Sequence, residues 1–191
     1  NGFTPATILD DSPQSFPSAG GPTYTPVNYD GTYRGKLPLR LALANSLNLP
    51  AVKVLQQVGV SEMVHLGKRM GISSWNEDGD YGLAITLGAA EVTMLDMATV
   101  NGTLANEGKR VNLNPLLKIT TAKGEVLEQK TISKGVRVLD SGVAFIISDI
   151  LADNNARSLA FGPSSPLTIP GHRVSVKTGT SDNKRDNWTI G

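Results

Sequence analysis

The 191-residue chain contains no cysteine, which excludes disulfides and thiolate-bound metals. That absence is compatible with any compartment and slightly favours an oxidising one. Excess charge of either sign is missing too: 18 Lys and Arg stand against 17 Asp and Glu. Such a balance argues against nucleic acid as a partner and against a polybasic membrane patch. No apolar run reaches the roughly 18 residues of a membrane-crossing helix, and no signal-peptide pattern is visible. The chain starts at Asn1-Gly2 without Met and stops at Thr189-Ile190-Gly191 inside a strand-like run, so both ends are expected to continue in a longer protein. The Gly-x-Ser-x-Gly elbow of serine hydrolases is absent, and so is a phosphate-binding glycine loop. His65 and His172 do not form a metal-spaced pair. Glu77, Asp78 and Asp80 around Gly79 lack the rest of a calcium loop and read as a solvated turn.

What is present is 39% apolar residues, enough for one globular domain with a core. Residues 1–36 are rich in Pro, Gly, Ser, Thr and Tyr, and read as irregular chain with short extended pieces. That composition fits either a linker or a loop-rich lobe packed on a core. Residues 37–191 form the expected core. Pro38 suits the first turn of a helix running to about Asn45, and Pro50 suits a second that Gly59 ends. Leu49 precedes a proline and is biased away from helix, so Ser46 and Asn48 are predicted on a tight bend between the two. Ser61 is a candidate cap for 62–70, with Gly71 as the stop. Thr93 with Asp96 makes a capping-box variant for a helix over 93–107 that Gly108 ends. Segments 116–120 and 125–130 flank a hairpin turn at 121–124, and Asp140 caps an apolar helix carrying Val143, Ile146, Ile147, Ile150 and Leu151. Residues 173–180 alternate like a strand, 181–186 read as a turn, and a further strand starts at Trp188. Segregated helices and strands predict an α+β fold, a helical lobe plus an antiparallel sheet.

Two short motifs could carry chemistry. In Lys177-Thr178-Gly179-Thr180, a lysine beside a hydroxyl and a glycine makes a cationic shelf for a carboxylate. The next backbone N–H can serve as an oxyanion donor. Strict alternation puts Lys177 and Thr178 on opposite faces, so both serve one ligand only if it lies along the strand edge. The plainer alternative is a surface strand ending in a glycine turn. Ser46 and Asn48, two apart on a bend, could both aim at one ligand, or could simply cap and turn the chain.

Taken together, the two motifs resemble the second and third motifs of penicillin-binding transpeptidases. Arg40-Leu41-Ala42-Leu43-Ala44-Asn45-Ser46-Leu47-Asn48-Leu49-Pro50-Ala51-Val52 is similar to that family's helix, Ser-x-Asn and Pro-Ala-Val block. Arg173 to Thr180, with Arg185, Asp186 and Trp188, resembles its third motif and the turn after it. Further likeness lies in Tyr81–Gly88, Glu91–Thr93 and Ala98–Gly108, and the resemblance runs in order from about residue 23 to the end, closest to the bifunctional, class A type. It implies a β-lactamase/transpeptidase-like fold, incomplete here, lacking the first-motif helix, the last strands and the terminal helix. It also implies a peptidoglycan D,D-transpeptidase outside the cytoplasmic membrane, in the cell envelope, with a membrane tether in the parent protein and no metal or cofactor. Its partners would be stem peptides ending in D-Ala-D-Ala, and β-lactams. By the same resemblance, Ser46 would relay a proton to the leaving amine and Asn48 would hold the substrate amide. Lys177, Thr178 and Thr180 would bind the terminal carboxylate around Gly179, and the Thr180 N–H would form half the oxyanion hole. The family's nucleophile is a Ser-x-x-Lys serine on an apolar helix. Here only Ser181 and Lys184 have that spacing, in a polar turn, and they read as a chance match. The nucleophile is therefore expected upstream of Asn1, and this chain alone is expected to be inactive. A D,D-carboxypeptidase or β-lactamase, and a non-catalytic sensor or scaffold, are the alternatives.

Overall fold

A computed structural model of the protein describes residues 2–17, 21–131, 133–181 and 185–191. The chain opens with β1 (Ile8–Asp11) and β2 (Gly35–Pro38), which pair antiparallel. Three helices follow, α1 (Leu39–Ala44), α2 (Asn48–Val58) and α3 (Val60–Met70), then a 3-10 turn over Leu83–Leu87 and α4 (Met94–Ala105). Next come β3 (Lys109–Arg110), β4 (Lys118–Thr120), β5 (Val126–Gln129) and β6 (Val136–Arg137). The chain closes with α5 (Ser141–Leu151), α6 (Ser158–Phe161), β7 (Lys177–Thr180) and β8 (Asn187–Ile190). The fold is α+β, as its pattern predicts. Among the described residues the strands form four separate antiparallel pairs, β1–β2, β3–β6, β4–β5 and β7–β8.

Helix α2 is the centre of the packing. Leu49, Val52 and Leu55 recur at three-residue spacing and are all buried. Leu55 joins Val64, Ile72, Trp75 and Ile85, while Leu49 and Val52 join Phe16. A third cluster, Leu9, Leu37, Ala42 and Leu47, lies under the β1–β2 ribbon. Each of the buried Leu, Val, Ile and Phe side chains contributes about 1.5–3 kcal/mol of burial, and Ala42 less. Phe16, deep in the loop-rich first segment, is one of the least exposed side chains.

Three local expectations are corrected. Asn48 and Leu49 belong to α2 rather than to the bend. A first-turn N–H has no intrahelical partner, so Pro50 loses nothing there, and burial of Leu49 outweighs the pre-proline bias. Ser61 is not a cap: Gly59, at φ +97, ends α2 and starts α3 by itself. Residues 173–176 are not strand. They run instead along the end of α5, where Val176 N–H donates to the Leu151 carbonyl (3.1 Å) and Ser175 Oγ donates to the Ser148 carbonyl (2.7 Å).

The two side-chain caps form as expected, whereas residues 182–184 of the expected 181–186 turn lie outside the described residues. Thr93 and Asp96 make a reciprocal capping box, and Asp140 accepts from the N–H groups of Gly142 and Val143. Asp96 also accepts from the Ser73 N–H and hydroxyl at 2.9 and 2.8 Å. Burial would raise its carboxyl, but the bonds from Ser73 and Thr93 outweigh this and hold it well below the usual carboxylate range.

Candidate functional site

The site begins at the end of α1. Leu47 N–H donates to the Ala42 carbonyl (3.0 Å) and Ser46 N–H to that of Leu43 (3.1 Å), the paired bonds of a Schellman helix end. Leu47 and Ala42 share one apolar cluster, as that motif favours. Its left-handed position usually takes glycine, yet Ser46 occupies it at φ 55. Such backbone costs a non-glycine residue roughly 1–2 kcal/mol. The bend thus carries a serine hydroxyl at a position that glycine would occupy without strain. Ser46→Gly and Ser46→Ala both delete that hydroxyl, but only glycine suits the backbone. Ser46→Gly should therefore be about 1 kcal/mol more stable than Ser46→Ala in urea unfolding.

Asn45, just before it, is buried and fixes the bend. Its Nδ2 donates to the carbonyls of Leu41 (2.8 Å) and Ala156 (2.7 Å), and its Oδ1 accepts from Ala160 N–H (2.8 Å).

Across the fold, Lys177 opens β7. Its Nζ donates to Ser46 Oγ at 2.6 Å and to the neighbouring Thr178 carbonyl at 2.6 Å. Two motifs 131 residues apart thus meet side chain to side chain. Burial pushes the Lys177 amine down to about 8. Most of it is still protonated at neutral pH, so it donates to Ser46 Oγ and leaves the Ser46 proton free for another acceptor.

Asn48 sits in the first turn of α2. Its N–H donates to Asn28 Oδ1 (2.8 Å) and its Nδ2 to the Val27 carbonyl (2.7 Å). Asn28 Nδ2 in turn donates to both oxygens of Asp11 (2.8 and 2.9 Å) and to the Thr32 carbonyl (2.8 Å). Asp11 also accepts from Arg34 N–H at 2.9 Å. Neither Asp11 nor Asn28 stands out in the sequence, where both sit in turn-rich stretches; no spacing rule joins them to Asn48.

Ser46, Asn48 and Lys177 line one cavity of about 470 Å³, otherwise walled mainly by apolar side chains such as Leu43, Ala51 and Val54. Thr178, Gly179 and Thr180 are not in its lining. They run along β7, whose register sets Gly179 against Trp188 and Thr180 against Asn187. Among the described residues, β7 pairs with no strand except β8. A side chain at Gly179 would meet nothing within 4 Å, so internal packing does not demand a glycine there. A second cavity, about 540 Å³ and lined in part by Gly102, Leu113 and Lys130, contains none of these residues.

Ser181 is engaged elsewhere: its Oγ accepts from Asp186 N–H at 2.8 Å and its N–H donates to the Asp186 carbonyl at 3.0 Å. The Asp182-to-Lys184 part of its Ser-x-x-Lys match lies outside the described residues. His65 and His172 are exposed and far apart in sequence. Among the described residues no group of three His, Cys, Asp or Glu side chains could hold a metal ion, and no helix is long and apolar enough to cross a membrane.

A family model described as penicillin binding protein transpeptidase domain matches residues 1–189. Penicillin-binding protein 1A of Neisseria meningitidis is 30% identical over 196 residues, spanning 100% of this chain and 24% of that protein. Penicillin-binding protein 1B of Vibrio cholerae is 29% identical over 187 residues, 97% of this chain and 23% of that protein. The chain thus spans about a quarter of the length of these curated relatives. Among solved structures, penicillin-binding protein 1A from Haemophilus influenzae superposes with a TM-score of 0.84 at 24% identity, over 98% of this chain and 33% of that one. An imipenem acyl-enzyme complex of penicillin-binding protein A from M. tuberculosis gives 0.80 at 18% identity, over 99% and 46%. At these identities the structural matches speak to the fold.

Proposed function

Because this chain belongs to the penicillin-binding protein transpeptidase family, we propose that it forms the Ser-x-Asn and Lys-Thr-Gly half of a peptidoglycan D,D-transpeptidase site. The observation that carries this reading is the 2.6 Å contact between Lys177 Nζ and Ser46 Oγ, inside a cavity that Asn48 also lines.

In the reaction, a serine hydroxyl attacks the penultimate D-Ala carbonyl. The C–N bond breaks, the terminal D-Ala leaves as an amine that takes a proton, and a second stem peptide's amine then attacks the acyl-enzyme. Ser46 would pass its proton to the leaving nitrogen, a role supported by Lys177 donating to its oxygen rather than accepting from it. Lys177 supplies positive charge for the substrate carboxylate. Thr178 and Thr180 offer hydroxyls along the edge of β7 that no strand among the described residues pairs, and the bare Gly179 lets an extended peptide approach the backbone. The Thr180 N–H would stabilise the oxyanion. Asn48, steadied by Asn28 and the Val27 carbonyl, would hold the substrate amide. A Ser-x-x-Lys serine from outside these residues would supply the nucleophile, and residues 1–191 alone would not turn over. The longer protein would act in the cell envelope, outside the cytoplasmic membrane, tethered to it, on D-Ala-D-Ala stem peptides and on β-lactams that mimic them. The acyl-enzyme described for the M. tuberculosis neighbour supports the β-lactam part of this reading.

Peptide mapping of the full-length protein after incubation with penicillin tests the proposal. The expected result is one adduct, on a serine outside residues 1–191 that is followed one turn later by lysine. An adduct on Ser46 or Ser181 would overturn the assignment of the nucleophile. No adduct at all would identify a non-catalytic relative.

A further inference from the structure

Ser46 and Lys177 lie on separate elements, and each is tied to the same short stretch of chain, the last turns of α5 and the loop after it. On the Ser46 side, Arg40 of α1 donates through Nη2 to Asp149 Oδ2 (2.6 Å) and through Nη1 to Asp153 Oδ2 (3.0 Å). Asn45 reaches Ala156 in the following loop and Ala160 in α6. On the Lys177 side, Ser175 and Val176 bond to the Ser148 and Leu151 carbonyls, and Arg173 donates to Asp149 Oδ1. Asp149 is the one acidic side chain among the described ion pairs with two arginine partners, and one comes from each side.

From this geometry we infer that Asp149 is a positioning residue: its carboxylate, one oxygen to each arginine, sets the register of α1, held at its first turn through Arg40, against the start of β7 and so holds Ser46 Oγ in reach of Lys177 Nζ. The inference rests on reading Ser46 and Lys177 as partners in one site. Arg40 first, and Arg173 second, hold the Asp149 carboxyl below the usual range, so it is ionised at working pH. Its ion pairs are part-exposed, with Arg173 at 65%. Such pairs add little to stability. A contact of 2.6 Å is nevertheless sensitive to a shift of about 1 Å between the elements that carry it.

The charge effect and the positioning effect of removing Asp149 have opposite signs at Lys177. Losing the carboxylate leaves Arg40 and Arg173 less neutralised, which by itself lowers the Lys177 pKa. Losing the register releases the amine toward water, which raises it toward the ordinary 10.5. Competitive acetylation of lysines with acetic anhydride, read by peptide mapping from pH ~6 to ~11, reports this in the full-length protein. Penicillin acylation is measured alongside.

For Asp149→Asn, which keeps the shape, the expected result is a raised Lys177 pKa and acylation slowed about tenfold, with melting little changed. Asp149→Glu should restore part of both. Arg173→Gln, which cuts only the exposed arm and is safe for folding, should move both readouts the same way by less. An unchanged or lowered Lys177 pKa in Asp149→Asn and Arg173→Gln would overturn the positioning role and leave Asp149 a surface ion pair. A wild-type Lys177 that titrates like any exposed lysine would instead overturn the Ser46–Lys177 contact, and the inference with it.

Discussion

Replacing Lys177 with methionine should slow penicillin acylation of the full-length protein by about 10²–10³-fold, the usual cost of losing one electrostatic anchor, while leaving the domain as stable as before or more so. The two halves of that expectation have one cause. The Lys177 ammonium is taken out of water and receives a hydroxyl and a backbone carbonyl as partners, with no carboxylate bonded to it among the described residues. Burial holds its pKa near 8 instead of the ordinary 10.5. A depression of that size means the charged form is less favourable in the folded state by on the order of 3 kcal/mol. The unfolded chain binds this proton more tightly, so the penalty is fully present below pH 8 and fades as pH rises from about 8 toward 10.5. Methionine has similar length and no charge, and escapes it. Urea unfolding at neutral and at alkaline pH should show wild type gaining stability across that window relative to Lys177→Met. Normal acylation by Lys177→Met would remove this residue from the site, and a strongly destabilised variant would mean the ammonium is a structural tie.

Asn28→Ala should be among the most destabilising single substitutions in the chain, on the order of 4 kcal/mol. Asn28 is the hub of a buried polar network. Its two amide N–H groups serve three acceptors, one shared by the two Asp11 oxygens and the other given to the Thr32 carbonyl, and its Oδ1 accepts the Asn48 N–H. Asp11 is fully buried and, among the described residues, has no ion-pair partner. Its carboxylate therefore depends on Asn28 and on the Arg34 N–H. Alanine leaves that carboxylate with a single donor and strands the Asn48 N–H at the start of α2. A loss of that size lowers the melting temperature by on the order of 10 °C in a domain of this length. Asn48 is released with it, so acylation should fall as well. A loss below about 1 kcal/mol would show that water replaces Asn28 without difficulty, and that the network does not organise the Asn48 end of the site.

Much of this was legible from short-range chemistry. Pro38, Gly59, Gly71, the Thr93–Asp96 box and Asp140 each act within one helical turn, so the sequence alone marked the helices they bound. The same holds for the 121–124 hairpin turn. The Ser46 bend was also readable, although not that Ser46 would take the left-handed position of a Schellman end, which depends on Leu47 reaching back to Ala42. Asn48 and Leu49 join α2 because the burial of Leu49, a tertiary property, overrides the local pre-proline bias. Residues 173–176 alternate like a strand, yet the α5 backbone takes their hydrogen bonds.

The identity of the chemical groups and the α+β class follow from residue order, because caps, turns and residue types are local properties. Which groups meet is visible only in the assembled fold: Lys177 with Ser46 across 131 residues, Asn28 with Asp11, and Asp149 with two arginines from opposite sides. No spacing rule encodes such contacts, since they arise where separately formed elements dock, and docking is set by the shape of the whole core.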